Sequence, residues 1–345
     1  MLGIFSNVFE KFVEKRNKKY DNGNKKIVYS DVPVISVGNL SVGGTGKTPF
    51  VEMLARQLLR IKRRPAIIGR GYKRRSKGEI IVCDGKEILA DARTAGDEMY
   101  LLADKLKVPV IAHSSKSEAA IEAPKKFDID SIIIDDGFQH RRIFRDIDIL
   151  LIDKATLDDP RLIPDGRLRE PLSSVGRADI VCLMGNFGIT DELRENLKPH
   201  QIVIWANGFP ARPYDVFTKK KLFGEKYKEF RNNMIIVSGI AKPERFENML
   251  KGMKYNVSEH ISFDDHHKYT KKDMEHLAKV CRDKDVSMIG TTEKDAAKLL
   301  RFEEFFNENN LKCYVFPFYL KITKGRSVFQ KSIRSVFTNS GRQRR

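Results

Sequence analysis

The sequence predicts an α/β fold, a mostly parallel sheet with helices on both faces, joined to a second, smaller α/β domain. Three observations carry this reading. Short, continuously apolar runs rich in Val and Ile recur as VPVISV (33–38), PAIIG (65–69), VPVIA (108–112), SIIID (131–135), DILLI (148–152), DIVCLM (179–184) and QIVIW (201–205). Stretches of helical length, such as 48–60 and 96–106, separate them. Strands apolar throughout, without alternation, are buried on both faces, as in a parallel sheet covered by helices. A shorter series then follows: MIIVSG (234–239), a helix after Pro243, a helix over 270–282, VSMIG (286–290) and CYVFPF (313–318).

Taken in order, residues 1–25 read as an amphipathic helix at a membrane interface. Leu2, Phe5, Phe9 and Phe12 fall at helical spacing beside Ile4, Val8 and Val13, and Lys11, Lys15, Arg16, Lys18 and Lys19 supply a basic flank. That pattern suits a helix lying among headgroups, the alternative being a terminal helix packed on the domain. Residues 26–206 form the main domain. Residues 207–232, with turn residues and mixed charge, are a linker, residues 233–325 the smaller α/β domain, and residues 326–345 a basic tail. Within that tail Val328, Ile333, Val336 and Phe337 suggest a helix.

Composition agrees and narrows the partners. The 345 residues are 41% hydrophobic and 32% charged, as in ordinary folded proteins. Cys83, Cys182, Cys281 and Cys313 lie far apart without a CxxC pair, so free thiols are expected instead of disulfides or a zinc site. No apolar run reaches 18 residues, which argues against a membrane-spanning helix, and no secretory signal is read. The net charge is +18, of which residues 1–30 carry +4 and residues 321–345 carry +8. An anionic partner is implied, a membrane surface or nucleic acid.

The strand VPVISV runs into GNLSVGGTGKTP, with a helix beginning at Thr48. Gly43, Gly44 and Gly46 let backbone N–H groups turn toward phosphates, with Ser41, Val42 and Thr45 completing the loop. Lys47 would neutralise β/γ oxygens and the Thr48 hydroxyl would ligate Mg²⁺. The usual spacing asks for Gly at position 41, where this chain has Ser41; GGTGKT matches a variant of the loop. Strand, loop and helix in this order define a P-loop NTPase-like sheet.

SIIIDDGFQH (131–140) is an apolar strand ending in two carboxylates, the pattern that holds Mg²⁺ beside such a loop through Asp135 or Asp136. No guanine-reading motif is read in the chain, which makes ATP the expected nucleotide. A kinase also needs a group to orient or deprotonate its acceptor. Asp97, opening a helix after Gly96, is one candidate, its ordinary role being an N-cap. His266, beside His267 in FDDHHKYT, is another, as part of a polar loop or a metal site. Spacing alone does not pair Asp97 with His266. Residues 60–77 hold nine Lys/Arg and no acid, and there Arg70 and Tyr72 follow a strand end, facing phosphate or substrate or forming a solvated basic loop.

With these residues in view, the chain resembles the tetraacyldisaccharide 4'-kinase family. The likeness covers about residues 1–320 through PVISVGNLSVGGTGKTP, GRGY (69–72), GDE (96–98), IIIDDGFQHRR (133–142), LREP (168–171), FDDHH (263–267) and TTEKD (291–295). The resemblance implies ATP- and Mg²⁺-dependent phosphorylation of the 4'-hydroxyl of a tetraacylated glucosamine disaccharide 1-phosphate, giving lipid IV-A. It implies a peripheral enzyme on the cytoplasmic face of the bacterial inner membrane, with two domains and a two-stranded linker. In those terms Asp97 is the base and His266 its partner, Lys47 stabilises the transferred phosphoryl, and Thr48 and Asp136 organise Mg²⁺. Arg70 and Tyr72 face substrate or phosphates, and Gln139, His140 and Arg169 lie near the acceptor. Met99, where the family leads one to expect Pro, and Lys116, where it leads one to expect Arg, depart from the pattern.

The anionic partner is then an acylated disaccharide lipid and a membrane surface, with no nucleic acid and no obligate protein partner. A P-loop switch or maturation chaperone without a lipid acceptor would share the same loop. A nucleic-acid-binding ATPase rests on charge alone.

Overall fold

The computed structural model describes residues 2–71, 74, 78–222 and 233–339, with side chains from Ser6 to Thr338. Seven strands fall on the expected apolar runs, β1 (Val34–Asn39), β2 (Pro65–Gly69), β4 (Pro109–Ala112), β5 (Ser131–Asp135), β6 (Ile147–Asp153), β7 (Ile180–Met184) and β8 (Ile202–Pro210), while β3 (Ile80–Asp84) falls outside them. With β14 (Phe318–Lys324) they form a nine-stranded sheet in the order β14-β8-β7-β6-β1-β5-β2-β4-β3. The run from β8 to β4 is parallel, and β3 pairs antiparallel with β4. β1 lies between β5 and β6, so the glycine loop and the acidic strand end emerge side by side at one sheet edge.

A second sheet, β11-β10-β12-β13-β9, is built from β9 (Tyr214–Asp215), β10 (Met234–Ser238), β11 (Val257–Ser262), β12 (Met288–Thr291) and β13 (Lys312–Val315). Its members are parallel except β9. The chain divides into unit 1, residues 1–208 with 320–345, and unit 2, residues 209–319. Both crossings fall within β8 and β14, which are neighbours in the large sheet. The division thus differs from the expected one: residues 209–222 of the supposed linker belong to unit 2, where β9 pairs with β13. Residues 223–232 lie outside the described residues.

The expected basic tail carries the helix its apolar residues suggest, Arg326–Asn339, but this helix packs as part of unit 1. Phe329 and Ile333 sit one turn apart and are fully buried, with Phe329 edge-on to Phe50 at 6.1 Å. Phe50 opens the apolar stripe Phe50, Val51, Leu54, Ala55 and Leu58 of the helix Lys47–Arg60. Burial of such side chains contributes about 1.5–3 kcal/mol each, which seats the helix that begins at the glycine loop.

The first helix, α1 (Leu2–Asp21), has two faces. One docks on unit 1: Val13 and Asn17 are buried, and Ser6 Oγ donates to Asp165 Oδ2 at 2.6 Å. Beneath it the fully buried Glu170 accepts from Arg16, Asn17, Ser174 and Arg177. The opposite face leaves Val8 and Phe12 62% and 65% exposed. No helix among the described residues is long and apolar enough to cross a membrane.

Candidate active site

β1 is buried throughout and ends at the buried Asn39, where the chain must leave the sheet. The turn back into the second helix, α2 (Lys47–Arg60), passes through Gly46, whose φ of 91° only glycine adopts without strain. Gly46 is the N-cap, and no side chain caps this helix; its first N–H groups and positive dipole end suit a phosphate. Asn39 organises the loop from below. Its Nδ2 donates to Ser41 O and Thr45 Oγ1, both at 2.8 Å, while its Oδ1 accepts from Lys47 Nζ at 3.1 Å and from Arg169. Ser41, at the departure from the usual glycine, is buried and shares a 3.0 Å hydrogen bond with Thr156 Oγ1. Val42 is partly exposed, and Arg167 reaches over the loop to Val42 O at 2.9 Å.

The two carboxylates at the end of β5 occupy opposite electrostatic environments. Asp136 stands in the left-handed region (φ 53°) just past the strand. Burial opposes its ionisation, yet bonds from Arg169 Nη1 and Nη2 at 2.9 and 2.8 Å, with the charges of Arg169, Lys47 and Lys116, hold it far below the usual range. Lys47 Nζ lies 3.5 Å from Asp136 Oδ1. Asp135 is pushed upward, chiefly by burial and then by the charge of Glu98. One carboxylate is thus kept ionised while its neighbour tends toward the neutral form.

Lys116, the departure from arginine, is almost wholly buried and donates to Asp136 O at 2.7 Å. Burial brings its ammonium down to about 8, partly offset by Asp136 and Asp135. Gln139 Nε2 donates to Asn39 O at 3.1 Å, and Arg169 Nη2 joins the same carbonyl at 3.1 Å. His140 is brought down to about 4, mainly by burial and then by the charge of Lys116. Asn39, Lys47, Asp136, Gln139 and Arg169 therefore form one connected cluster.

Asp97 opens the helix Asp97–Leu106, but the N-cap is Gly96, so the capping role set against it does not apply. The same first turn carries Glu98, whose charge reaches Asp135, and Met99, buried against Gly69 at the end of β2. Arg70 is exposed just past β2 and acts electrostatically on His140. Tyr72 lies outside the described residues.

His266 belongs to unit 2, on the loop after β11. Its backbone is left-handed (φ 67°), its N–H donates to Gly239 O at 3.2 Å, and its Nε2 lies 3.1 Å from Lys294 Nζ. His267 is committed elsewhere, 3.0 Å from Asp273 and stacked on Phe263. No cluster of three or more His, Cys, Asp or Glu able to hold a metal occurs among the described residues. Thr270–Asp273 does spell the guanine-reading pattern Thr-Lys-x-Asp, contrary to expectation. It is a capping box on the helix Lys271–Asp283, with its carboxylate bound to Thr270.

Sequence reasoning missed Asn39 and Lys294, and it noted Lys116 only as a departure from arginine. Asn39 had a visible signal, an amide ending an apolar strand directly before a glycine loop. Lys116 and Lys294 act on residues 20 and 28 positions away.

A parallel sheet with a glycine loop, its lysine and an adjacent acidic strand end defines a P-loop nucleotide-binding enzyme. Comparison with known proteins narrows this. The model of the LpxK family, tetraacyldisaccharide-1-P 4'-kinase, matches residues 1–338. A tetraacyldisaccharide 4'-kinase of Halothermothrix orenii is 35% identical over 91% of this chain and 87% of its own length. One from Aquifex aeolicus is 37% identical over 88% of this chain and 91% of its own. A crystal structure of an "apo" form of the Aquifex aeolicus LpxK in complex with ATP superposes with TM-score 0.77 at 33% identity, covering 96% of this chain and 97% of that one. The chain belongs to the tetraacyldisaccharide-1-P 4'-kinase family.

Proposed function

We propose that this chain transfers the γ-phosphoryl of ATP to the 4'-hydroxyl of a tetraacylated glucosamine disaccharide 1-phosphate, giving lipid IV-A. The observation that carries the reading is the cluster in which Asn39 ties the glycine loop, through Lys47 and Arg169, to Asp136. Binding of phosphates along the Ser41–Thr48 loop draws Lys47 onto the β/γ oxygens, where its charge offsets what develops in transfer.

The hydroxyl of Thr48 and the ionised carboxylate of Asp136 are hard oxygen donors, and Asp135 Oδ1 is buried without a hydrogen-bond partner. That donor set fits Mg²⁺. When bound, Mg²⁺ supplies charge neutralisation between the β- and γ-phosphates. The 4'-oxygen bonds to the γ-phosphorus as the bond to the bridging oxygen breaks and ADP leaves. Asp97 takes the hydroxyl proton, with His266 as its partner. Arg70, Tyr72, Gln139, His140 and Arg169 orient the acceptor, the last by exchanging part of its hold on Asp136 for substrate.

The lipid is met at the cytoplasmic face of the inner membrane through α1. The docked face of the helix supports this, because it orients Val8 and Phe12 outward among Lys11, Lys15, Lys18 and Lys19. The test is a γ-labelled ATP assay with the acylated disaccharide 1-phosphate in mixed micelles, with and without Mg²⁺. Metal-dependent label on the lipid is expected; metal-dependent hydrolysis without labelled lipid would replace the kinase by a switch ATPase.

A further inference from the structure

The TTEKD segment (291–295) is unused by the reaction as described, although several of its contacts reach the loops around His266. Thr291 Oγ1 donates to Val237 O at 3.0 Å, tying β12 to β10. Thr292 caps the following helix, and the fully buried Asp295 accepts from Thr292 Oγ1 at 2.7 Å and from Gly239 N at 3.0 Å. Gly239 is closely packed: a Cβ there would lie 3.1 Å from His267 Cβ and 3.2 Å from Asp295 Oδ1. Gly239 O in turn accepts from His266 N. The segment therefore sets the height and direction of the backbone that carries His266.

Lys294 is the member that reaches the imidazole. Its Nζ lies 3.0 Å from Asp265 Oδ1 and 3.1 Å from His266 Nε2, with both the lysine and histidine side chains largely buried, at 17% and 8% exposed. An ammonium has three donors and no lone pair. A hydrogen bond between it and Nε2 therefore uses the lone pair of Nε2, and a neutral ring must carry its proton on Nδ1.

We infer that Lys294 is a positioning residue that holds His266 as the Nδ1–H tautomer, so that the ring donates from Nδ1. This rests on the proposed role of His266 in the transfer, which requires a ring of one defined tautomer. Asp265 anchors the ammonium so that it donates to Nε2 and not to solvent.

The test reads the tautomer directly. Side-chain ¹⁵N–¹H correlation spectra of the full chain, with His266→Gln to assign the ring, are expected to show Nδ1 protonated and Nε2 bare. In Lys294→Met the Nε2 signal should shift, and turnover with ATP and lipid should fall about 10- to 100-fold through misalignment. The KM for ATP should stay within about twofold, because no nucleotide contact is removed. Lys294→Arg, which keeps a donor, should restore part of the turnover. A protonated Nε2 in the wild-type spectrum overturns the inference, as does unchanged turnover in a folded Lys294→Met chain. If His266→Ala and Asp97→Ala both retain full turnover, the pairing fails instead, and the wild-type tautomer still decides the role of Lys294.

Discussion

The two units repeat one architectural idea with opposite outcomes. In each, a parallel sheet ends in loops at the C-terminal edge of its central strands, where α/β proteins place ligands. In unit 1 the loop after β1 presents the uncapped start of a helix, and the nearby carboxylate of Asp136 is held by Arg169. In unit 2 the corresponding position after β10 is filled from within: the carboxylate of Asp295 accepts the Gly239 N–H and the cap of Thr292. A protein carboxylate thus takes the backbone N–H that opens this loop. The loop after a parallel strand is left open to an anion in unit 1, whereas in unit 2 it is taken by the chain's own carboxylate, beside the backbone that carries His266.

The sharpest way to break this contrast is at the proposed base. Asp97→Ala should lower turnover about 1000-fold while leaving ATP affinity within about twofold, because only a group acting on the acceptor is lost. Equal turnover of mutant and wild type on the lipid substrate would remove Asp97 from the reaction and leave unit 1 a nucleotide site without a base. Next in size is the internal anion. Asp295→Ala orphans the buried Gly239 N–H and leaves Lys298, 3.4 Å away, without this carboxylate. Opening of the 235–240 segment, followed by hydrogen exchange, should become easier by about 3 kcal/mol. Undiminished protection there would mean that the carboxylate does not hold the platform.

What could be read in advance divides along the same lines. The parallel strands were legible because burial on both faces leaves continuous apolar runs, as in SIIID. β11 was not, because VSEHIS is only half-buried along its length. β14 was missed for a similar reason, FYLKITK being mostly exposed. The glycine loop was legible since phosphate binding demands neighbouring residues in sequence. The grip of Arg169 on Asn39 was not, as it spans 130 positions. The unit boundaries were misjudged because the chain leaves and re-enters unit 1, a pattern invisible to any contiguous division. For α1 the helical period showed an apolar stripe, but the partner that selects its docked face, Glu170, lies about 150 residues away.

The electrostatic side of the contrast can be sharpened with pH. His140 in unit 1 is brought from 6.5 to about 4, whereas the unfolded chain retains the ordinary value. Above pH 6.5 the ring is neutral in both states and contributes no slope. Between 6.5 and 4 the unfolded chain takes up a proton that the folded chain refuses, so stability falls as pH falls. Asp135, shifted upward, acts in the opposite sense over its own range and cancels when variant and parent are compared. His140→Gln should therefore gain about 2 kcal/mol relative to wild type on going from pH 7 to pH 5, measured by urea unfolding. A difference independent of pH would show that His140 protonates as readily in the folded chain as in the unfolded one.

The smallest expected effect tests which face of unit 1 meets the lipid. Removing α1 altogether would be a poor experiment, since it strips Arg16 and Asn17 from the buried Glu170 and perturbs the segment that carries Arg169. Val8→Ser with Phe12→Ser changes only the outward face. It should leave thermal stability unchanged and weaken flotation with anionic liposomes about tenfold, in keeping with partial loss of apolar insertion. Val13→Ser, on the docked face, should do the reverse, lowering stability with the outward face of the helix intact. Equal flotation of the outward-face variant and the parent would mean that the basic residues alone hold the surface, and adding salt would then release both proteins alike.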